Sequence, residues 1–367
     1  MDRTDSVAGR VRLRRPSGRT AARDASVSVV IPCFNYGRYL ELAVQSALRQ
    51  VNASVEVIIV DDASVDDSLD IARRLSEADS RVRVLANATN RGPVETFNRG
   101  LARANGEFLV RLDADDLLTP GSFARAIDLA RAFPTVGLVY GHPIHFSRDL
   151  PPARTRVRAW TVWPGRRWLA DRCIEGNNVI TSPEVLMRSA VVERVGGQRP
   201  LEHTHDMEMW LRIAAYSDVG YVEGADQAWH REHGASLSAL KVNGLIDLAE
   251  RRAAFETLFS ANSDIDSGLE LTILAGRALS FEAVSFARHQ IYRSRATPEL
   301  ILSLREYAVE AWPPIVETTE WQRLLAHQAK IGPSVARKIR GSAFVIRRRL
   351  RYYRRLRRWH RRGVWSS

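Results

Sequence analysis

Short apolar runs alternate with amphipathic segments over the first 140 residues of the chain. The run SVSVVI at 26–31 is almost wholly apolar beyond its start, which is typical of a strand buried on both faces. An apolar stripe at helical spacing follows over 40–48. This alternation predicts βαβ crossovers and an α/β fold with a mostly parallel, Rossmann-like sheet. The further strands are predicted at 55–60, 82–85, 108–112 and 136–140.

Polar residues follow the end of each predicted strand. The loop Pro32–Asn35 follows the first, Asp61 and Asp62 the second, and the turn NATNRG the third. The fourth ends in Asp113, Ala114, Asp115 and Asp116. In a parallel sheet these ends share one edge, where ligands bind. Three carboxylates in four residues favour a bound cation, although a solvated turn with Thr119 capping the next helix is the simpler interpretation.

These strand ends together suit a nucleotide whose diphosphate is held by a cation. Phe34 could stack on the base, Asp62 could accept a hydrogen bond from base or ribose, and Asp115 could bind the metal. The first strand is followed neither by G-x-G-x-x-G nor by a Walker A loop, which argues against a dinucleotide-dependent dehydrogenase. A nucleotidyltransferase is the nearest enzyme alternative, but CFNYG is not the glycine-rich basic loop that such enzymes usually have.

The pattern becomes irregular between residues 141 and 240. Trp160, Trp163 and Trp168 could be platforms for sugar rings, but hydrophobic packing is slightly favoured. The run HTHDMEMWLR predicts a helix with Asp206 in its first turn, as a partner of the helix dipole or as a general base. His230 and His233 lie three apart without an H-E-x-x-H context, so they are weak evidence for a metal site.

The net charge of +12 is concentrated at the two ends. Residues 1–24 carry seven Arg against three Asp and are interpreted as a disordered basic arm. Residues 241–332 read as helical, without recognisable chemistry. The segment 333–367 is Arg-rich, and within it 335–362 predicts a basic amphipathic helix with an apolar stripe. Binding of 335–362 to an anionic membrane surface is favoured over nucleic-acid binding, and a solvated tail is the third alternative.

Cys33 and Cys173 are the only cysteines, and their spacing suggests neither a zinc site nor a disulfide framework. A reducing compartment is therefore the default. No apolar run is long enough to span a bilayer, and the N-terminus lacks the apolar region of a secretory signal. We therefore expect a cytoplasmic protein, peripheral on the inner face of the plasma membrane if the basic helix binds there.

Three segments resemble glycosyltransferase family 2, whose members have the GT-A fold. They are SVVIPCFNYGRYL, VIIVDDASVDDS and NRGPVETFNRGLARANGEFLVRLDADD, and a looser similarity extends to about residue 240. The resemblance implies a GT-A catalytic domain at 25–240, with a nucleotide-sugar half at 25–140 and an acceptor half at 141–240. It also implies transfer of a sugar from a nucleoside-diphosphate donor to an acceptor hydroxyl, with inversion of the anomeric centre.

The resemblance also assigns roles to individual residues. Asp115 would be the main ligand of Mg²⁺ or Mn²⁺, Asp113 would contact ribose or a metal-bound water, and Asp206 would be the catalytic base. The chain departs from the family at His205, where a Glu is common, and at Phe97, where many members have Arg. The residues assigned to the nucleotide are Pro32, Phe34, Asn35, Asp61, Asp62 and Asp113.

The acceptor is expected to be a glycan or a lipid-linked glycan of the cell envelope, a hypothesis suggested by the basic C-terminal helix alone. A non-catalytic nucleotide-binding scaffold at the membrane is the alternative from another class. The presence of Asp62, Asp113, Asp115 and Asp206 together favours the enzyme.

Overall fold

The computed structural model describes residues 11–14, 25–233, 244–262, 264–293, 295–328 and 335–364. The chain separates into two compact units. The first unit comprises residues 1–169, 179–236 and 361–363, and the second comprises 170–178, 237–360 and 364–367.

Ten strands of the first unit form one mixed sheet in the order β1-β8-β10-β7-β9-β5-β2-β3-β4, and β6 pairs with β10. The part of the sheet from β5 through β2 and β3 to β4 is parallel, as the alternating pattern predicted. The strands are β1 Val11–Arg14, β2 Ser26–Cys33, β3 Ser54–Asp61, β4 Val82–Ala86, β5 Phe108–Arg111, β6 Leu117–Leu118, β7 Val136–Phe146, β8 Ala159–Trp163, β9 Leu186–Arg188 and β10 Asp218–Arg231.

Helices cover the parallel strands because those strands have two apolar faces. Val29, Val57 and Val110 are almost completely buried, and α1 packs its predicted apolar stripe into the same core. The helices of this part of the chain are α1 Gly37–Leu48, α2 Ser68–Ala78, α3 Gly92–Leu101, α4 Ser122–Ala132, α5 Gly165–Glu175, α6 Ser189–Val195 and α7 His205–Tyr216.

The irregular region of the sequence contains more regular structure than its pattern indicated. β8 and β9 were not predicted, and of the 14-residue strand β10 only the strand-like run VGYV at 219–222, near its start, was recognised. Trp160, Trp163 and Trp168 are buried, so they pack in the interior and offer no exposed sugar platform. The structure also differs from the disordered-arm interpretation at Val11–Arg14, which pair antiparallel with β8, while the rest of 1–24 lies outside the described residues.

The second unit is helical where it is described, as predicted. Its elements are α8 Gly244–Ser260, α9 Gly268–Tyr292, α10 Pro298–Ala311, a 3₁₀ helix at Pro313–Glu317, α11 Thr319–Gln328 and α12 Val335–Arg362. The bounds of α12 match the predicted basic helix. Over the described residues, every helix is too short or too polar to traverse a lipid bilayer.

Candidate active site

The loop after β2 is joined to the loop after β3 by two hydrogen bonds of Asn35. Its backbone N–H donates to Ser64 Oγ at 3.0 Å, and its Oδ1 accepts from the N–H of Val65 at 2.8 Å. Asn35 has φ +59, a left-handed conformation that asparagine tolerates well. Phe34 beside it is 41 % exposed, so its ring is available to a ligand. Pro32 lies within β2, one residue before the strand ends.

Asp61 and Asp62 are both buried, but their carboxylates have different surroundings. Asp62 Oδ1 accepts from Asn87 Nδ2 at 2.7 Å and from the N–H of Arg91 at 2.8 Å, and its Oδ2 accepts from the N–H of Gly92 at 2.8 Å. Asp61 Oδ2 accepts from the N–H of Ser64, whereas its Oδ1 is buried without a hydrogen-bond partner among the described residues. Asp62 therefore anchors the start of α3, and Asp61 is the carboxylate with a free acceptor atom.

Arg111, the last residue of β5, joins the acidic turn to α7. Its guanidinium lies 2.8 Å from Asp113 Oδ1 and donates to His205 Nε2 at 3.2 Å. Burial, together with the charge of Arg111, lowers the pKa of His205 to about 3, so its imidazole is neutral. The residue that precedes Asp206 thus adds no charge to the site.

Asp115 is held by the end of β10 and the residues after it. His233 Nε2 lies 2.8 Å from Asp115 Oδ2, and Arg231 Nε donates to the Asp115 carbonyl at 3.0 Å. Burial and the nearby charge of Asp113 raise the pKa of Asp115. Burial and the charges of Asp115 and Asp113 likewise raise the pKa of Tyr36, which places the loop after β2 close to these two acids.

Asp116 forms a buried ion pair with His230, whose Nδ1 lies 3.0 Å from Asp116 Oδ2. Burial raises the pKa of Asp116 to about 6. Burial lowers the pKa of His230, but its hydrogen bond to Asp116 and the negative charges of Asp116 and Glu184 outweigh that effect and raise the pKa to about 9. At neutral pH the pair is therefore charged, with Asp116 ionised and His230 protonated.

Asp206 lies in the first turn of α7, as predicted, where the helix dipole favours a negative charge. Its Oδ2 accepts from Ser182 Oγ at 2.6 Å. Ser182 has φ +132, and both its N–H and that of Thr181 donate to the buried carboxylate of Glu184. Burial raises the pKa of Glu184 to about 7.

Two series of contacts therefore connect Asp206 with the acidic turn after β5. One passes through the neighbouring His205 and Arg111 to Asp113. The other passes through Ser182 and Glu184, which acts electrostatically on His230, the partner of Asp116. Asp62 instead points at the turn between β4 and α3.

Arg111, Ser182 and Glu184 were not identified as site residues from the sequence. Of these, only Arg111 could have been noticed, because a charged residue at the end of an apolar strand is unusual.

A divalent cation fits this site only if it takes further ligands from outside the protein. Among the described residues, no three His, Cys, Asp or Glu side chains are grouped so that they could hold a metal ion. Asp115 and His233 are adjacent, and Asp113 is close enough to affect Asp115 electrostatically. Mg²⁺ is commonly bound by one or two carboxylates together with substrate phosphates, so this donor set is compatible with a cation shared with a diphosphate.

Comparison with known proteins gives a consistent result. Residues 28–194 match the model of glycosyl transferase family 2. The chain carries a glycosyl transferase family 2 domain. The match includes the loop after β2, both aspartates after β3 and the acidic turn after β5, and it ends before Asp206.

Two curated relatives are similar to part of the chain. Glycosyltransferase GlyG of Streptococcus pneumoniae is 38% identical over 92 residues, which are 25% of this chain and 31% of that protein. A GalNAc(5)-diNAcBac-PP-undecaprenol beta-1,3-glucosyltransferase of Campylobacter jejuni is 35% identical over 105 residues, 28% of this chain and 34% of that one. The chain spans about a third of the length of the curated relatives it matches.

Among solved structures, S. aureus TarS, crystallised in complex with UDP-GlcNAc, superposes with a TM-score of 0.59 at 16% identity. The superposition covers 86% of this chain and 89% of that one. At this identity the likeness concerns the fold alone, and it confirms the predicted GT-A architecture.

Proposed function

We propose that this protein is an inverting glycosyltransferase that moves a sugar from a nucleoside-diphosphate donor to an acceptor hydroxyl. The observation that supports this most is the pair of contact series that connect Asp206 with Asp113 and Asp116, two acids of the turn that the family 2 match includes. An inverting transfer needs a base near the acceptor and a positively charged environment at the leaving diphosphate. Asp206 would meet the first requirement, and a cation held at Asp115 would meet the second.

The nucleotide would occupy the edge formed by the ends of β2 and β3. Phe34 offers an exposed ring for stacking on the base, and Asn35 holds the loop that presents it. Asp61 Oδ1, which has no hydrogen-bond partner in the described part of the chain, would accept a hydrogen bond from an N–H of the base. Asp62 would act by holding the β4–α3 turn in place.

In the transfer step, Asp206 removes the proton of the acceptor hydroxyl as that oxygen bonds to the anomeric carbon. The bond from this carbon to the diphosphate breaks, and the diphosphate leaves with the electron pair. A single displacement of this kind inverts the anomeric centre, by the logic of inverting glycosidases. Ser182 donates to Asp206 and orients the carboxylate, while neutral His205 avoids repulsion beside it. Bound Mg²⁺ or Mn²⁺ would supply Lewis-acid neutralisation of the diphosphate.

The acceptor is proposed to be a cell-envelope glycan carried on a lipid diphosphate. This proposal is supported by the name of the Campylobacter relative, which specifies an undecaprenol-linked glycan. UDP-sugars are the first donors to test, because TarS was crystallised with UDP-GlcNAc.

A donor screen with UDP-, GDP- and dTDP-sugars tests the function, with release of the nucleoside diphosphate as the measurement. We expect turnover of one donor class, and we expect Asp206→Asn to lower it by about a hundredfold or more, with donor binding nearly unchanged. Glu202→Gln, an exposed change four residues away, is the matched control. Wild-type turnover by Asp206→Asn would remove Asp206 from its role. Binding of a donor without turnover of any would favour a non-catalytic scaffold.

A further inference from the structure

A groove of about 770 Å³ lies within the second unit, and none of the residues assigned to sugar transfer lines it. Its walls come from the stretch 174–178, from α9 and from α12. Four arginines line it, one from α9 and three from α12. They are Arg277, Arg348, Arg351 and Arg355.

The positive charge of the groove exceeds the negative charge that lines it. Glu175 and Glu282 also face the groove, but each is paired with an arginine outside its lining. Arg172 lies 3.2 Å from Glu175, and Arg251 lies 3.0 Å from Glu282. Glu282 also acts electrostatically on Arg348. Four arginines against two glutamates still leave the lining with a formal excess of positive charge.

Arg348 differs from the other three in the surroundings of its guanidinium group. Its Nη1 is buried without a hydrogen-bond partner among the described residues. Burying a guanidinium nitrogen without a hydrogen-bond acceptor destabilises the fold, because its hydrogen bonds to water are lost and not replaced. An anion bound in the groove would supply the missing acceptor.

Apolar side chains form the rest of the wall. Phe281 and Leu274 come from α9, and Tyr352, which is 56 % exposed, comes from α12. On the same helix, Ile346 and Leu350 are 56 % and 52 % exposed and lie one turn apart. An arginine-rich helix with exposed apolar residues one turn apart is typical of a helix lying at a lipid interface.

We propose that this groove binds the phosphate headgroup of an anionic membrane lipid. The arginines hold the phosphate, because guanidinium groups bind phosphate oxygens in a bidentate manner. The apolar wall contacts the first carbons of the lipid tails, a surface that a free phosphate ion would leave unused. This assignment is more specific than adsorption of α12 on a charged surface, because it requires groove residues from both α9 and α12.

Vesicle co-sedimentation of the full chain tests the proposal, with phosphatidylcholine vesicles that contain or lack phosphatidylglycerol. Arg348→Gln with Arg351→Gln removes two charges from the groove. Arg354→Gln with Arg357→Gln removes two exposed charges from the same helix outside the groove and is the matched control. We expect the groove pair to weaken binding to phosphatidylglycerol vesicles at least about tenfold more than the control pair does.

Equal losses in the two pairs would mean simple electrostatic adsorption and would overturn the groove assignment. Competition by millimolar inorganic phosphate as strong as that by phosphatidylglycerol would identify a free-phosphate site instead. Tighter binding of an oligonucleotide than of vesicles, lost in the groove pair, would identify a nucleic-acid site. If the groove pair does not fold, Arg277→Gln on α9 provides the same comparison. No donor is present, so the outcome does not depend on sugar transfer.

Discussion

At the residue scale, the adjacent residues Asp61 and Asp62 have different roles. Asp62 accepts three hydrogen bonds from protein groups, whereas Asp61 Oδ1 accepts none within the described part of the chain. The sequence VDD after a buried strand cannot distinguish them, because the difference arises from the turn that follows β4. Gly92 makes that turn possible with φ +82, a conformation in which its N–H reaches Asp62.

The pair of variants Asp61→Asn and Asp62→Asn separates these tasks. Asp62→Asn turns an NH₂ group toward N–H donors, so we expect a loss of about 1–3 kcal/mol in the free energy of unfolding. Asp61→Asn retains an oxygen for Ser64, so we expect a smaller loss of stability but about tenfold weaker donor binding. Urea unfolding and isothermal titration with the donor nucleotide measure the two effects. If Asp61→Asn is instead the less stable variant, the assignment of a structural role to Asp62 and a binding role to Asp61 is wrong.

At the element scale, Arg111 connects the end of β5 with the start of α7. It is buried and contacts both Asp113 and His205, so it sets the position of the acidic turn relative to the helix that carries Asp206. Arg111 thus serves as a positioning residue. A shift of about 1 Å between reacting groups is enough to lower a rate by about a hundredfold.

We therefore expect Arg111→Gln to lower kcat by about tenfold or more per folded molecule, with a smaller effect on KM for the acceptor. Arg111→Lys keeps the charge but cannot present two planar donors, so an intermediate kcat is expected. Arg212→Gln is the control, since Arg212 is a buried arginine of α7 that pairs with Glu208 on the same helix. If both Gln variants lose stability equally and keep wild-type kcat, Arg111 has only a structural role.

The elements that could be predicted from the sequence are those whose burial follows one pattern along their whole length. Strands β2, β3 and β5 are largely buried and read as mostly apolar runs, and α1 and α12 show clear stripes. β8 and β9 are short, and β10 changes register with its neighbour β7 on both sides of Asp226. The acids after β3 and β5 could be found because they follow recognisable strands. The partners of Asp116 and Asp115 could not, because His230 and His233 lie more than a hundred residues further along the chain.

At the scale of the whole molecule, the net charge of +12 does not predict the local charge at the nucleotide edge or in the groove of the second unit. The candidate active site collects carboxylates from three separate stretches, at 61–62, 113–116 and 206, whereas the groove collects arginines from two helices. A negatively charged donor would be unfavourable beside Asp113 and Asp115 unless positive charge accompanies it. The protein's response to nucleotides is therefore expected to depend on a divalent cation.

This expectation can be measured as a thermal shift of the full chain. A ligand present at about a hundred times its Kd stabilises the folded state by about 2.7 kcal/mol. We expect UDP with Mn²⁺ to raise Tm and chelator to abolish the rise, because the cation offsets the repulsion between the diphosphate and the acids. Asp115→Asn should lose the shift while keeping its basal Tm, since Asp115 is only partly buried and His233 can bond an amide instead. A full shift with UDP in excess chelator would exclude the metal from donor binding, and the donor would then have to be held by the basic side chains near the edge.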